Sequence, residues 1–296
     1  MRKVPRLAGL ATMAGFLLSF VIAPTAARAT EPRTIIDVYP GAHAIGNALA
    51  QAQAGDTLRV HTGTYKEHVA IKTPSLTIEV AKDGPVTIDG GCRFANTVLV
   101  KADGLRLDGR GEGGLTIQGG SVSEVTFLDV PSGSAHYVSV VESCRGQAEF
   151  GFLVEGVHHV SIVNGSAQSY FDNAGIYVDN IRQPDSFVLI AYNTVFGTNR
   201  GIEVTGVANA IVEVRHNTVY NSFGSGIRIV ASDGVRINRN RVTVNGDAGI
   251  DLLDDVTNAL VQHNVARGNR PDMRNLGTNN CFRYNHFDTH QGDIGC

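Results

Sequence analysis

The chain has 296 residues, with 34 glycines, no tryptophan, 25 Lys+Arg against 28 Asp+Glu and a formal net charge of −3. A mildly acidic balance argues against charge-driven binding to nucleic acid or to anionic membranes as a general property. Many short apolar alternations, separated by Gly, Asn and Asp and without long helical patterns, point to an all-β protein.

Residues 1–29 combine a basic start (Arg2, Lys3, Arg6), an apolar run over residues 7–23 and a small-x-small site at Ala27-Arg28-Ala29. That order predicts a secretory signal peptide. A retained anchor fits less well, because the run is short and a cleavage site follows it. Cleavage removes four basic residues and no acid, so the net charge moves from −3 to −7. Residues 30–296 are then expected to form a single secreted domain, monomeric and free of the membrane. Export favours disulfides. Cys92, Cys144, Cys281 and Cys296 allow three pairings. The short C-terminal loop favours Cys281–Cys296, leaving Cys92–Cys144.

Residues 42–53, AHAIGNALAQAQ, place Ile45, Ala48, Leu49 and Ala52 on one helical face, with Gly55 as a stop. An amphipathic capping helix is predicted there. Residues 54–269 follow as repeats. Apolar pairs recur at Leu58/Val60, Val69/Ile71 and Leu76/Ile78, then at Val86/Ile88, Val98/Val100 and Leu105/Leu107, with matching pairs 28 or 29 residues apart. Farther along, Gly-Ile pairs begin at Gly175, Gly201, Gly226 and Gly249, in steps of 26, 25 and 23. Asn193, Asn217, Asn240 and Asn264 keep steps of 24, 23 and 24. Two independent markers share one period, with three short strands in each. That is the signature of a strand solenoid, whose turns bury an apolar face only by stacking. The asparagines are expected to form a hydrogen-bonded column at one bend. Residues 270–296 read as a disulfide-closed tail over the last turn. Its His286, Asp288, His290 and Asp293 have metal-ligand chemistry, but nearby Gly292 and Gly295 disfavour the helix that would align them.

The run AGDTLRVHTGTYKEHVAI (54–71) and the Gly-Ile and Asn-Thr-Val units resemble right-handed parallel β-helix proteins of the pectate-lyase-like superfamily. The likeness covers nearly all of residues 34–269. It implies a right-handed parallel β-helix of roughly eight or nine turns with an N-terminal helical cap. It also implies an extended polysaccharide bound along a strand face. The Asp-Pro-His-Asp or Asp-Pro-His-Glu stretch of mannuronan epimerases is missing, as are the Asn-Thr-Asp, Gly-His-Gly and Arg-Ile-Lys motifs of polygalacturonases. Only Asp254-Asp255 resembles the paired acids of the latter.

Alternation places Tyr177, Glu203, Arg228 and Asp251 outward, in one column over successive turns. Asn173, Asn199 and Arg200 flank it as candidate substrate contacts. Three readings stay open. The resemblance implies that a lyase would use Arg228 as base or clamp together with calcium, for which Asp172, Asp179, Asp247, Asp251 and Asp254 would supply the hard oxygen ligands calcium prefers. A glycoside hydrolase would use Glu203 and Asp251, whose backbones lie about 9.6 Å apart at the strand spacing, near the upper end for an inverting pair. A non-catalytic glycan-binding or structural protein would carry the same residues as a charge ladder worth about 0.2–1 kcal/mol per pair. The expected activity is cleavage or epimerisation of a uronate-containing polysaccharide. A neighbouring face with Glu213, Arg215, His216, Arg236, Arg239, Arg241 and His263 is locally basic. It suits acidic sugar or phosphate groups, or is a solvated face.

Overall fold

The computed structural model describes residues 33–296; the predicted signal peptide lies outside them. Among the described residues the architecture is a parallel β-solenoid with three faces. The longest face is an eleven-stranded parallel sheet that runs from Ile35–Val38 to Cys281–Arg283. A second face stacks the Gly-Ile strands, among them Ala174–Asp179, Arg200–Thr205, Ile227–Val230 and Ile250–Leu252. The third stacks three-residue strands such as Thr194–Phe196, Thr218–Tyr220 and Arg241–Thr243. In the early turns, Val86–Val100 and Leu115–Leu128 run across two faces as single long strands, with irregular register near Phe94.

The solenoid is longer than the eight or nine turns expected from the repeats. Ile35–Val38 already pairs with Thr57–Val60, ahead of the recognisable period. Beyond it, Met273–Asn275, Cys281–Arg283 and His290–Gly292 continue the stack. The tail therefore contributes strands of its own as well as a cover. Cys281–Cys296 closes it, and the Phe282 N–H donates to the Gly295 carbonyl at 3.1 Å. Cys92–Cys144 is the second disulfide, as expected.

Inward residues of each strand form the core: Val188/Ile190, Val212/Val214, Val235/Ile237 and Ala259/Val261 are all buried. The helix Ala44–Gln51 sits at the N-terminal end and buries Ile45 and Ala48. Its first turn is held by Glu67, whose two oxygens accept from the Ile45 and Gly46 N–H groups at 3.0 and 2.8 Å. A carboxylate there satisfies helix N–H donors that have no intrahelical partner and complements the helix dipole.

The asparagine column forms as the period predicts. Each Oδ1 accepts from the backbone N–H and side-chain amide of the asparagine one turn earlier, from Asn193 through Asn217, Asn240 and Asn264 to Asn285. Each buried Nδ2 also donates to a strand carbonyl, as Asn217 does to Ile190. A second, shorter ladder links Ser222, Asn245, Asn269 and Asp272 at another bend. Beside it, the Gly-Ile glycines stack closely: a Cβ on Gly201 would collide with Val219 and with the Gly226 carbonyl. Glycine is required there by close approach.

Glu124 is fully buried on Leu115–Leu128. Its Oε2 accepts from the Gly120 N–H and the Thr97 hydroxyl at 2.9 and 3.0 Å, while Oε1 has no partner. Burial pushes this carboxyl up to about 8.

Two outcomes follow from these buried polar groups. Asn217→Ala leaves the Asn193 N–H and the Ile190 carbonyl unpaired in the interior, and should lower unfolding free energy by about 2–4 kcal/mol in a denaturant titration. Glu124 keeps its proton in the folded chain and loses it in the unfolded chain between about pH 4.5 and 8. Stability should therefore fall as pH rises through that window, by up to about 4 kcal/mol at its upper end. Glu124→Gln should remove the slope, measured as unfolding free energy against pH for both proteins.

Candidate functional site

The outward column predicted from alternation exists. Register pairs Tyr177 with Glu203, Glu203 with Arg228 and Arg228 with Asp251 on successive strands. It continues one turn farther, where Asp251 pairs with Arg274.

Side-chain contacts redistribute the charges within this column. Glu203 is nearly buried, 6% exposed. Its Oε2 lies 3.1 Å from Arg200 and 3.8 Å from Arg228, yet no hydrogen bond is aligned on it. Burial raises the Glu203 pKa first of all; Arg200 and Arg228 draw it down, and Asp251 pushes it up. Arg200 also donates to Asn173 Oδ1, and the Asn199 amide donates to the Asp172 carbonyl at 2.6 Å. Asn173, Asn199 and Arg200 are thus brought beside the column. Tyr177 packs its ring on Phe150, with centroids 4.6 Å apart. Burial, reinforced by Asp179 and Glu203, pushes its phenol up to about 12.

Asp251 does not share Arg228 with Glu203, as the ladder reading requires. No Arg228 nitrogen lies within ion-pair distance of it. Arg274 grips Asp251 instead, with Nε 2.7 Å from Oδ1 and a terminal nitrogen 2.6 Å from Oδ2. The Ser225 hydroxyl adds a third bond at 3.0 Å. The same guanidinium reaches both oxygens of Asp247 at 3.1 and 3.0 Å. These bonds hold Arg274 firmly protonated. Arg274 and Ser225 were not singled out from the sequence. The signal was the step of 23 residues from Asp251 to Arg274, hidden because Asp272-Met273 stands where the Gly-Ile marker is expected.

Exposed aromatic rings add a wall at the turn preceding these strands. Phe223 is 66% exposed, and its ring meets Tyr170 edge-on at 5.2 Å. Both lie in turns, outside the alternating strands that the sequence pattern marks.

The aspartates expected to hold calcium do not converge. Asp172 and Asp179 stand at opposite ends of Ala174–Asp179, and Asp247 and Asp254 straddle Ile250–Leu252 in the same way. Seven residues of extended chain separate the members of each pair by roughly 20 Å, while calcium ligands sit about 2.3–2.6 Å from the ion. Asp247 is engaged by Arg274. Among the described residues no group of three or more His, Cys, Asp or Glu could hold a metal ion. These residues do not fit a calcium site.

Arg274→Ala leaves Asp251 buried without its counter-charge. Loss of one partner of such a pair costs about 3–5 kcal/mol, so the variant should unfold at markedly lower denaturant concentration, and Asp251→Asn in the same chain should recover part of the loss.

Comparison with known proteins bears on the fold. The model of the right handed beta helix region matches residues 69–266. No curated protein matches the chain. Among solved structures, that of pectate lyase Pel9A is similar at 10% identity and a TM-score of 0.65, over 88% of this chain and 79% of that one. The alginate lyase from Paenibacillus sp. str. FPU-7 is similar at 16% identity and a TM-score of 0.59, over 89% of this chain and 99% of that one. At such identities the likeness is one of fold. With a matched region covering most of the chain and three stacked faces of parallel strands beneath it, the protein belongs to the right-handed β-helix family.

Proposed function

We propose that the chain is a secreted enzyme that cleaves an acidic, uronate-containing polysaccharide by β-elimination along the Tyr177–Glu203–Arg228 column. The carrying observation is the state of Glu203. It is a carboxylate raised by burial, restrained by two arginines, and without an aligned hydrogen bond on one oxygen. Elimination needs a base for the proton alpha to the uronate carboxylate and a positive charge to stabilise the carbanion that forms. Arg200 and Arg228, both partly exposed, suit the second task. A substrate carboxylate pairing with them would weaken their hold on Glu203. The base would then become stronger only when substrate is bound. The Tyr177 phenol, protonated at neutral pH, is a donor for the departing glycosidic oxygen. Asn173 and Asn199 orient the chain, and Phe223 with Tyr170 offers an apolar surface to a sugar ring.

The names of the similar structures, a pectate lyase and an alginate lyase, fit this substrate class. A two-carboxylate hydrolase is less well supported. Both Asp251 oxygens are occupied by Arg274 and Ser225, so that residue is poorly placed to activate a water. A glycan-binding protein without turnover is the second reading, favoured by the low exposure of Glu203.

The test is to incubate the purified protein with polygalacturonate, alginate and a neutral glucan, following unsaturated-uronate absorbance and reducing ends together, with and without chelator. The expected result is absorbance with reducing ends on a uronate polymer, persisting in chelator. Glu203→Gln and Arg228→Ala should each lower the rate by at least about 10²-fold, and Asp251→Asn should act mainly on stability. Reducing ends without absorbance would identify a hydrolase. Retention of a polymer with both signals flat would leave only binding.

A further inference from the structure

From Tyr137 onward, each strand of the eleven-stranded sheet is followed by one residue in the left-handed backbone region. The column reads Tyr137, Asn164, Tyr192, His216, Arg239, His263, Tyr284, with φ between 54° and 59°. Backbone bonds fix it: the N–H of Tyr192 donates to the Arg215 carbonyl, that of His216 to Asn238, and that of Arg239 to Gln262. The left-handed conformation strains a residue with a bulky side chain, whereas Gly, Asn and Asp adopt it most readily. Another corner of this solenoid respects that preference: Asp185, Asn209, Gly234, Asn258 and Asn279 all have positive φ. The first corner instead carries mainly tyrosine, histidine and arginine. Burial is not the reason, since Tyr137, Tyr192 and Tyr284 are 42%, 49% and 70% exposed.

Ring stacking offsets part of the strain. Tyr192 lies on His216 with centroids 4.7 Å apart, and His263 on Tyr284 at 5.1 Å. Such pairs are attractive beyond the area they bury. Stacking explains planar groups, but it does not explain why three of these positions are basic. The strands meeting at this corner carry the same sign. Between residues 187 and 283, the corner and those strands hold Arg215, Arg236, Arg239, Arg241, Arg267 and Arg283 against one acid, Glu213. Burial, with Arg239 and Arg215 alongside, holds His216 below the ordinary histidine range. Glu213 pairs with Arg215 at 3.7 Å, and the remaining arginines leave a net positive field that suits an anionic partner.

We infer that this corner is a second binding track, separate from the catalytic column, for an extended acidic polysaccharide lying along the solenoid axis. Rings stacked nearly parallel from one turn to the next, as in Tyr192–His216 and His263–Tyr284, have their faces along the axis and leave their edges for a partner. They present phenol, imidazole and guanidinium donors at about 4.8 Å per turn, over roughly 29 Å from Tyr137 to Tyr284. A repeating carboxylate polymer can pair with such a row. Single-stranded nucleic acid is favoured less, because it binds through stacking on open ring faces, and several of these faces are covered by neighbouring rings. The inference shares with the proposed function the acidic polysaccharide and none of the chemistry.

The test uses the whole protein with three substitutions together, His216→Asn, Arg239→Asn and His263→Asn. Asparagine tolerates the left-handed backbone, so the variant should unfold at the same or a higher temperature than the parent. Retention in gels containing polygalacturonate or alginate should weaken about tenfold. Turnover of short uronate oligosaccharides, which reach only the column, should stay at the parental level if turnover exists. If the protein proves not to be an enzyme, the retention measurement still decides the matter. Unchanged retention of the variant, equal retention by a neutral glucan, or no retention of the parent by either polymer would overturn the inference. So would preferential retention of a single-stranded DNA oligonucleotide.

Discussion

In-register stacking of one turn on the next is the constraint from which the rest of this structure follows. Each strand has its hydrogen-bond partners one turn away, so no turn is stable alone. The inward columns of Val and Ile supply apolar burial, but burial alone tolerates a slip of two residues, which keeps the same face inward. The asparagine ladder does not. Each amide from Asn193 to Asn264 bonds both to the next asparagine and to a strand carbonyl, so any slip would strand a buried donor at each level. The ladder fixes register, and register creates surface columns.

That dependence explains why part of the site was legible. Tyr177, Glu203, Arg228 and Asp251 share a column because alternation and period together assign each residue a face and a level. Neither assigns a rotamer. The sequence therefore placed the charges correctly and misjudged their partners. Asp251 turns to Arg274 on the far side, and Arg228 is left loosely tied to Glu203. The metal reading failed on a related point. Aspartates close in sequence to one strand lie at its two ends, and an extended strand separates what a compact loop would gather.

Other features were hidden because they break the pattern that revealed the fold. Arg274 follows Asp272-Met273 in place of Gly-Ile. Glu124 sits in a strand interior where the local alternation gives no reason to expect a buried acid. The second ladder uses serine and aspartate at its ends, so its asparagines do not stand out as a series. At the N-terminal end, Glu67 holds the capping helix from a distance of more than twenty residues, a contact that no local pattern encodes.

The tail strand Cys281–Arg283 ends the long sheet, and the Phe282 N–H on it is already spent on Gly295, beneath the Cys281–Cys296 bridge. A parallel solenoid with a free terminal rung would be a template for the first rung of another molecule, since the rungs share one spacing and one shape. Here the outward N–H of Phe282 is occupied by the same chain, so that edge offers a neighbouring strand less to pair with. The small C-terminal loop thus shields the outer edge of the long sheet at that rung, and the Cys281–Cys296 bridge ties the shield to the strand it protects.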